Sequence, residues 1–302
     1  MPEPTSQASP ASASKRFQPQ WLRWLLLATL IVSTAAVTFA QRSRDPYSRS
    51  RSSDPRMGVP EWAVDKELSK DIFTFVRLQY SSAGGRYGRG GWGGNRWAID
   101  YPDAELNLSY RLQEMTSLKV NPNPIVLEIT NPDLLNYPWC YMVEPGALQF
   151  SDEEVIALRK YLLNGGFMMV DDFWGPDEWD NFYYEIKRVF PDREPVEIPM
   201  DHPIFHCVFP LNLEKNNMQV PNVGTGTQSQ YTGRTWEDDR DRNVHFKAIS
   251  DDKGRMMVMI CHNTDNGDGW EREGENEYYF REFSEKKAFP LGINIIFYAM
   301  TH

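Results

Sequence analysis

The stretch Gly165-Gly166-Phe167-Met168-Met169-Val170-Asp171-Asp172-Phe173-Trp174-Gly175-Pro176 decides the fold class. Asn164-Gly165 stops a preceding helix, Phe167 to Val170 form an apolar strand, and Pro176 suits the first turn of the next helix. A strand that is apolar at every position is buried on both faces, as in a parallel sheet. Upstream, Ser151 and Glu154 have the spacing of a capping box at the start of the helix that ends at Asn164. The acids Asp171 and Asp172 mark the carboxyl end of the strand.

Outward from this unit the alternation continues. Residues 72–78, 125–129, 138–142 and 196–198 have strand character. Asp103 is placed to cap a helix carrying Leu106, Leu112 and Met115, and the helix entered at Pro176 reaches Phe190. Residues 220–242 are polar and rich in Gly and Asp, an excursion from the pattern. Strand character returns at 245–249 and 256–260, and a helix over 284–300 closes the chain. Parallel strands need crossovers, usually helical, so the expected fold is a three-layer α/β sandwich with a mostly parallel sheet.

With 302 residues, 41% hydrophobic and 13% aromatic, the chain can build a sizeable core. Residues 1–56 carry eight Lys or Arg against three Asp or Glu, which leaves the remainder near −15. That field repels polyanions and excludes nucleic acid as a partner of the domain, while cations, sugars and basic protein surfaces remain open.

The N-terminus has the three parts of a targeting signal: a polar stretch with Lys15, Arg16 and Arg23, an apolar run from Trp24 to Val37, and Thr38-Phe39-Ala40 before Gln41. Residues 1–40 are either a signal peptide cut after Ala40 or an uncleaved anchor through residues 24–40. Both place the domain outside the cytoplasm, in the periplasm or an equivalent extracytoplasmic space. Residues 41–67, rich in Arg, Ser, Asp and Pro at their start, are expected to be a disordered linker, with the single α/β domain over 68–302. Cys140, Cys207 and Cys261 are too few for a disulfide scaffold, although a bridge between Cys207 and Cys261 is open.

Ligands of open α/β sheets sit outside the carboxyl ends of the strands. Between Ser81 and Arg96 lies a glycine-rich loop whose Arg86, Arg89, Arg96, Trp92 and Trp97 are placed to close over a ligand. Its Gly88-Arg-Gly90-Gly91-Trp-Gly93 is too far from a strand-to-helix turn to be a dinucleotide fingerprint. Asp171 and Asp172 are the best placed polar pair, demanding a cation, a proton or backbone donors as compensation; alternatively one caps the helix after Gly175 and the other pairs with Arg. His202 and His206 offer a metal pair or plain turn residues, since Pro203 opposes a regular helix. His262, Asn263, Asp265, Asp268 and Trp270 follow another strand in a segment dense in oxygen ligands, but Gly267 breaks the calcium-loop spacing and a tight Asx turn is expected.

Phe75-x-Arg77-Leu78-x-Tyr80, Asp100-Tyr101-Pro102, Tyr137-Pro138, Leu158-Arg-x-Tyr161, Gly165-Gly166, Asp171-Asp172 and Asp265-x-x-Asp268-Gly-Trp270-Glu271 occur together in an order that resembles the bacterial domain of unknown function 4159 family. The likeness runs from Ile72 to the C-terminus. It implies a flavodoxin-like sandwich of the class I glutamine amidotransferase-like group, which also holds the trehalose-utilisation type proteins. Arg77 and Tyr80 of its first motif, with Trp97 of the loop and Trp174 of the strand end, are candidate binding residues, and the likeness implies no reaction. Amidotransferases of that fold carry a nucleophilic cysteine at a strand-to-helix elbow, where this chain has Val170-Asp171-Asp172-Phe173-Trp174-Gly175. Glutaminase chemistry by that triad is therefore excluded.

Two functions follow as expectations. One is a cell-envelope binding or assembly protein on a non-catalytic amidotransferase-like fold, with an envelope protein or carbohydrate as partner and the membrane touched only through residues 24–40. The other is a carbohydrate-active hydrolase or metal-assisted enzyme using Asp171 or Asp172 with a nearby His, one of His202, His206 and His262. A divalent metal is the one cofactor the residues suggest.

Overall fold

Every strand of the sheet's centre alternates its side chains between two cores, which requires helices on both faces. In the computed structural model, residues 54–64, 71–82 and 96–302 are described. The apolar segment 24–40 and most of the glycine-rich loop, with Trp92, lie outside them. Among the described residues no helix is long and apolar enough to cross a membrane. The folded body spans Arg56–His302 and so takes in part of the stretch expected to be linker. There the Arg56 guanidinium donates to the Pro122 carbonyl and the Trp62 indole to the Val120 carbonyl.

Its elements are β1 (Val76–Gln79), α1 (Asp103–Met115), β2 (Ile125–Glu128), β3 (Trp139–Val143), α2 (Asp152–Leu163), β4 (Phe167–Asp171), α3 (Gly175–Val189), β5 (Val196–Glu197), α4 (Val223–Thr232), β6 (His245–Ser250), β7 (Met256–His262), α5 (Asn266–Glu271) and α6 (Glu277–Tyr279). A π-helix, Phe280–Ala288, follows and runs into α7 (Phe289–Thr301). The sheet order is β2-β1-β3-β4-β7-β6-β5. Strands β1, β2, β3, β4 and β7 are parallel, and β6 is antiparallel to both β7 and β5.

On one face, Trp139, Tyr141 and Met169 pack with Leu108 and Leu112 of α1, Trp270 of α5 and Ile293 of α7. On the other, Cys140, Met142, Met168 and Val170 pack with Leu158 of α2 and Phe182 and Ile186 of α3. This is the expected three-layer α/β sandwich. The Ser151–Glu154 capping box is formed, with Ser151 Oγ accepting from the Glu154 amide at 3.1 Å and Glu154 Oε2 from the Ser151 amide at 2.7 Å. Gly165, at φ +108°, ends that helix where a side chain would be strained.

Four local expectations change. Pro102, not Asp103, holds the N-cap position of α1; Asp103 is the first helical residue, where its charge favours the positive end of the helix. The polar excursion at 220–242 contains α4, capped by Asn222. The expected turn after β7 is the short helix α5, capped by Asp265. The closing helix begins as a π-helix and becomes α-helical at Phe289, where Pro290 has no amide to donate within the first turn. The Cys207–Cys261 bridge is not formed: all three thiols are free, with Cys261 buried under the sheet and Cys207 exposed.

Candidate functional site

The chain leaves β1 toward β2 on one side and returns as β3 on the other, and α1 and α2 cover opposite faces. The crevice at the carboxyl ends of β1 and β3 is therefore the topological switch point, where such sheets bind ligands. Around it the backbone is held in an unusual way. Glu144 after β3, Asp172 after β4, Asn263 after β7, and Asp100 before α1 all have left-handed φ, between +47° and +64°. Such residues cost about 1–3 kcal/mol each and gather at functional rims.

Adjacent Asp171 and Asp172 have opposite environments. Asp171 is fully buried and accepts four hydrogen bonds: from the Tyr141 hydroxyl at 2.9 Å, the Asn266 amide at 2.9 Å, the Gly267 amide at 3.1 Å and the Asn266 side-chain amide at 2.8 Å. It thus anchors the N-terminus of α5, not the helix after Gly175. Burial pushes its carboxyl up to about 6 against the pull of those donors. The first turn of α3 is served by Glu178, whose Oε2 accepts from the Trp174 amide at 2.8 Å.

Asp172 accepts from the Trp174 indole at 3.0 Å, and from no other donor among the described residues. It meets Asp100 and Asp265, and one carboxylate oxygen of each lies within 4.8 Å of the others. Burial pushes all three carboxyls well above the usual carboxylate range, and their mutual repulsion adds to it. Asp100 also meets Asp268 and Glu271, where Arg272 supplies charge at 3.2 Å and 2.8 Å. Gly267 is required here, because a Cβ would collide with the Asp100 carboxylate. Near the same rim burial pushes Glu144 up to about 7, although Arg96 lies 2.9 Å away.

His262 belongs to the other face. It packs between Phe173 and Trp179, its Nε2 lies 3.0 Å from the Gly175 carbonyl, and burial lowers its pKa to about 4. Its partners are His245 and Asp241, each again within 4.8 Å. Among the described residues no His joins Asp171 or Asp172, so the expected Asp–His constellation is divided by the sheet.

The remaining candidates are placed as follows. Arg77 is buried against Glu105 and the Ile99 carbonyl, and the Tyr80 hydroxyl lies 2.7 Å from the Glu144 carbonyl, bracing its left-handed turn. Asn263 braces Gly175 and Asn243, and Trp270 is buried with its indole on the Ala288 carbonyl. Asp268 accepts from the Val223 amide at 2.7 Å, while Trp97 is half-buried against the α2–α3 core. These are supports of the rim. His202 and His206 do not share a ligand position: His202 Nδ1 accepts from the Ile204 amide and His206 Nε2 contacts the Met200 carbonyl, because Pro203 makes the segment a 3-10 turn. A cleft of about 390 Å³ beside β5, lined by Val196, His202, Ser250 and Met256, sits at the opposite end of β7 from His262, and its acids Asp192, Glu194 and Glu197 form no candidate metal cluster among the described residues.

Asp100, Glu144, Asp241 and His245 were not among the expected site residues. Asp100-Tyr101-Pro102 stands out in the sequence as a motif, but its approach to β4 and β7 does not. His245 opens a strand, and only the antiparallel register places it opposite His262.

A comparison with curated proteins found no match. The family model described as "Domain of unknown function (DUF4159)" matches residues 74–300, which take in the whole rim from Asp100 to Asp268, and the chain belongs to that family.

Proposed function

We propose that this chain is an exported cell-envelope binding or assembly domain on an amidotransferase-like fold, with a hard divalent cation held by Asp100, Asp172 and Asp265 at its recognition centre. The observation that carries it is the convergence of these three carboxylates, each within 4.8 Å of the others at the end of the sheet. Like charges this close ionise together only when a cation joins them. An all-oxygen donor set suits Ca²⁺, Mg²⁺ or Mn²⁺. The bound ion would then present open positions to the hydroxyls of a carbohydrate or an acidic side chain of an envelope protein.

Export rests on the three-part N-terminus. The amidotransferase-like relation is supported by the left-handed Asp172 at the β4–α3 junction, a strand-to-helix elbow with an acid in place of a nucleophile. Recognition is favoured over acyl transfer because Asp171 is fully engaged in holding α5 and the elbow has no thiol or hydroxyl. A second reading, metal-assisted hydrolysis of a carbohydrate, draws on Glu144, whose carboxyl is raised to about 7 and so is poised for proton transfer near neutrality.

Thermal melting of the metal-stripped protein against Ca²⁺, Mg²⁺ and Mn²⁺ tests the proposal. A specific site stabilises by about 2.7 kcal/mol at a hundredfold excess over Kd, and Asp172→Asn should abolish the shift. No shift with any of the three ions would sink it. Hydrolysis of an envelope polysaccharide that requires the ion and is lost in Glu144→Gln would favour the second reading.

A further inference from the structure

We propose a second, chemically distinct metal site on the α3 face of the sheet, in which Asp241, His245 and His262 bind a borderline divalent ion of the Zn²⁺ type. The geometry begins with the β6–β7 ladder, where His245 is the cross-strand partner of His262 and the two rings stack 5.6 Å apart at 19°. Asp241, four residues before His245, brings its Oδ2 to 3.0 Å from His245 Nε2. Two ligands bonded to Zn²⁺ at about 2.0–2.1 Å with tetrahedral angles stand roughly 3.3 Å apart. The Asp241–His245 pair already has that separation, and the matching atom of His262 lies within 4.8 Å of both.

The surroundings carry a second, independent signature. A metal-bound imidazole commonly has its other nitrogen held by a carboxylate or a carbonyl, which fixes the tautomer and aims the lone pair. His262 meets that condition, and His245 has a carboxylate facing its other nitrogen. His262 Nε2 contacts the Gly175 carbonyl at 3.0 Å, leaving Nδ1 to bind. His245 Nδ1 faces Glu197 Oε2 at 3.7 Å, leaving Nε2 on the Asp241 side. Glu197 is itself held by Lys215 at 2.6 Å and Lys247 at 3.1 Å. The segment bearing Asp241 is fixed by Asn263, whose side-chain amide donates to the carbonyls of Asp241 and Asn243 at 3.3 and 2.8 Å.

One wall is dry, formed by Phe173 and Trp179 against His262. The opposite side is open, since Asp241 and His245 each keep 26% of their side-chain surface exposed. Three protein ligands and one open side are the arrangement of a metal site that accepts an outside ligand. Mixed nitrogen and oxygen donors set it apart from the carboxylate cluster, so each site can fail without the other.

The test uses the full chain, stripped of metal and titrated with Co²⁺ as a spectroscopic probe, then with Zn²⁺ in competition. The expected result is one equivalent of Co²⁺ with ligand-field absorption of a low-coordinate nitrogen-containing site, displaced by Zn²⁺ and retained in Asp172→Asn. His245→Ala and Asp241→Asn, both at the half-exposed side, should remove the absorption while leaving the circular dichroism unchanged. Glu197→Gln, a positioning change, should weaken Zn²⁺ binding about 10–100-fold without removing the bands. Absence of ligand-field absorption in the wild type, or its survival in folded Asp241→Asn and His245→Ala, overturns the assignment.

Discussion

At the switch-point rim the convergent groups are all carboxylates, whereas at the β6–β7 corner two imidazoles share one carboxylate. Burial acts on both by the same physics and with opposite sign. It raises the acids, with Glu144 at about 7 and Asp171 at about 6, and it lowers His262 to about 4. Burial thereby favours the neutral carboxyls at the rim and the neutral His262 imidazole at the corner, so a cation at the rim would have to displace protons whereas the His262 lone pair is already free for one. What separates them is donor chemistry, oxygen against nitrogen with oxygen, and therefore the ion that would suit each.

The sharpest way to break this comparison is within the acid pair. Asp171→Ala strands the Tyr141 hydroxyl and the Asn266 and Gly267 donors. At about 1–3 kcal/mol per buried unpaired group, the loss in denaturant unfolding should be about 3 kcal/mol or more. Asp172→Asn relieves repulsion and keeps a residue that tolerates left-handed φ, so the metal-free protein should gain about 0.5–2 kcal/mol. Equal losses for both would show that Asp172 is structural.

The pH dependence of metal-free stability separates the two regions next. Glu144 and Asp171 bind protons more tightly in the folded state, so their contribution is full below the ordinary carboxylate range and is lost as pH rises through about 6 to 7. His262 runs the other way: its contribution is full above 6.5 and is lost as pH falls through about 4. Between pH 4 and 7 the two slopes therefore overlap and oppose each other, so Glu144→Gln should make the melting temperature fall less as pH rises to 7, and His262→Gln should remove the part lost as pH falls from 6.5 to 4. A profile unaffected by either variant would refute the opposed shifts.

Smaller effects follow. Gly267→Ala puts a methyl against Asp100 and the Tyr141 hydroxyl and should cost about 1–3 kcal/mol by overpacking, with loss of the ion-dependent melting shift. At the low end, Arg240 bridges Asp177 at 2.8 Å and Asp238 at 2.7 Å on the exposed surface. Arg240→Ala should change unfolding free energy by less than about 1 kcal/mol, and a larger loss would make that loop part of the α3 support.

The elements written in local pattern were legible from sequence. Ser151 and Glu154, Asn164-Gly165, the apolar run before Asp171 and Pro176 each act through neighbours within one turn or one strand, so their readout needs no partner. That Asp171 and Asp172 need compensation is legible locally, because acids at the edge of an apolar strand lose hydration. Which compensation each received was not local, because α5, which meets Asp171, lies about 95 residues later in the chain. His202 and His206 show the converse: their spacing suggested a pair, and the 3-10 turn forced by Pro203 turned their nitrogens onto nearby backbone.

By itself, the sequence determined the alternation of strands and helices, the two-sided burial of the central strands and the presence of acids at their carboxyl ends, since hydrophobic period and capping act over a few residues. The tertiary structure decided which acids meet. Asp100 joins Asp172 and Asp265, and Asp241 joins His245 and His262, only because sheet order and strand register bring distant segments to one edge. Convergence of charge is a property of that edge, set by packing and pairing across the whole body.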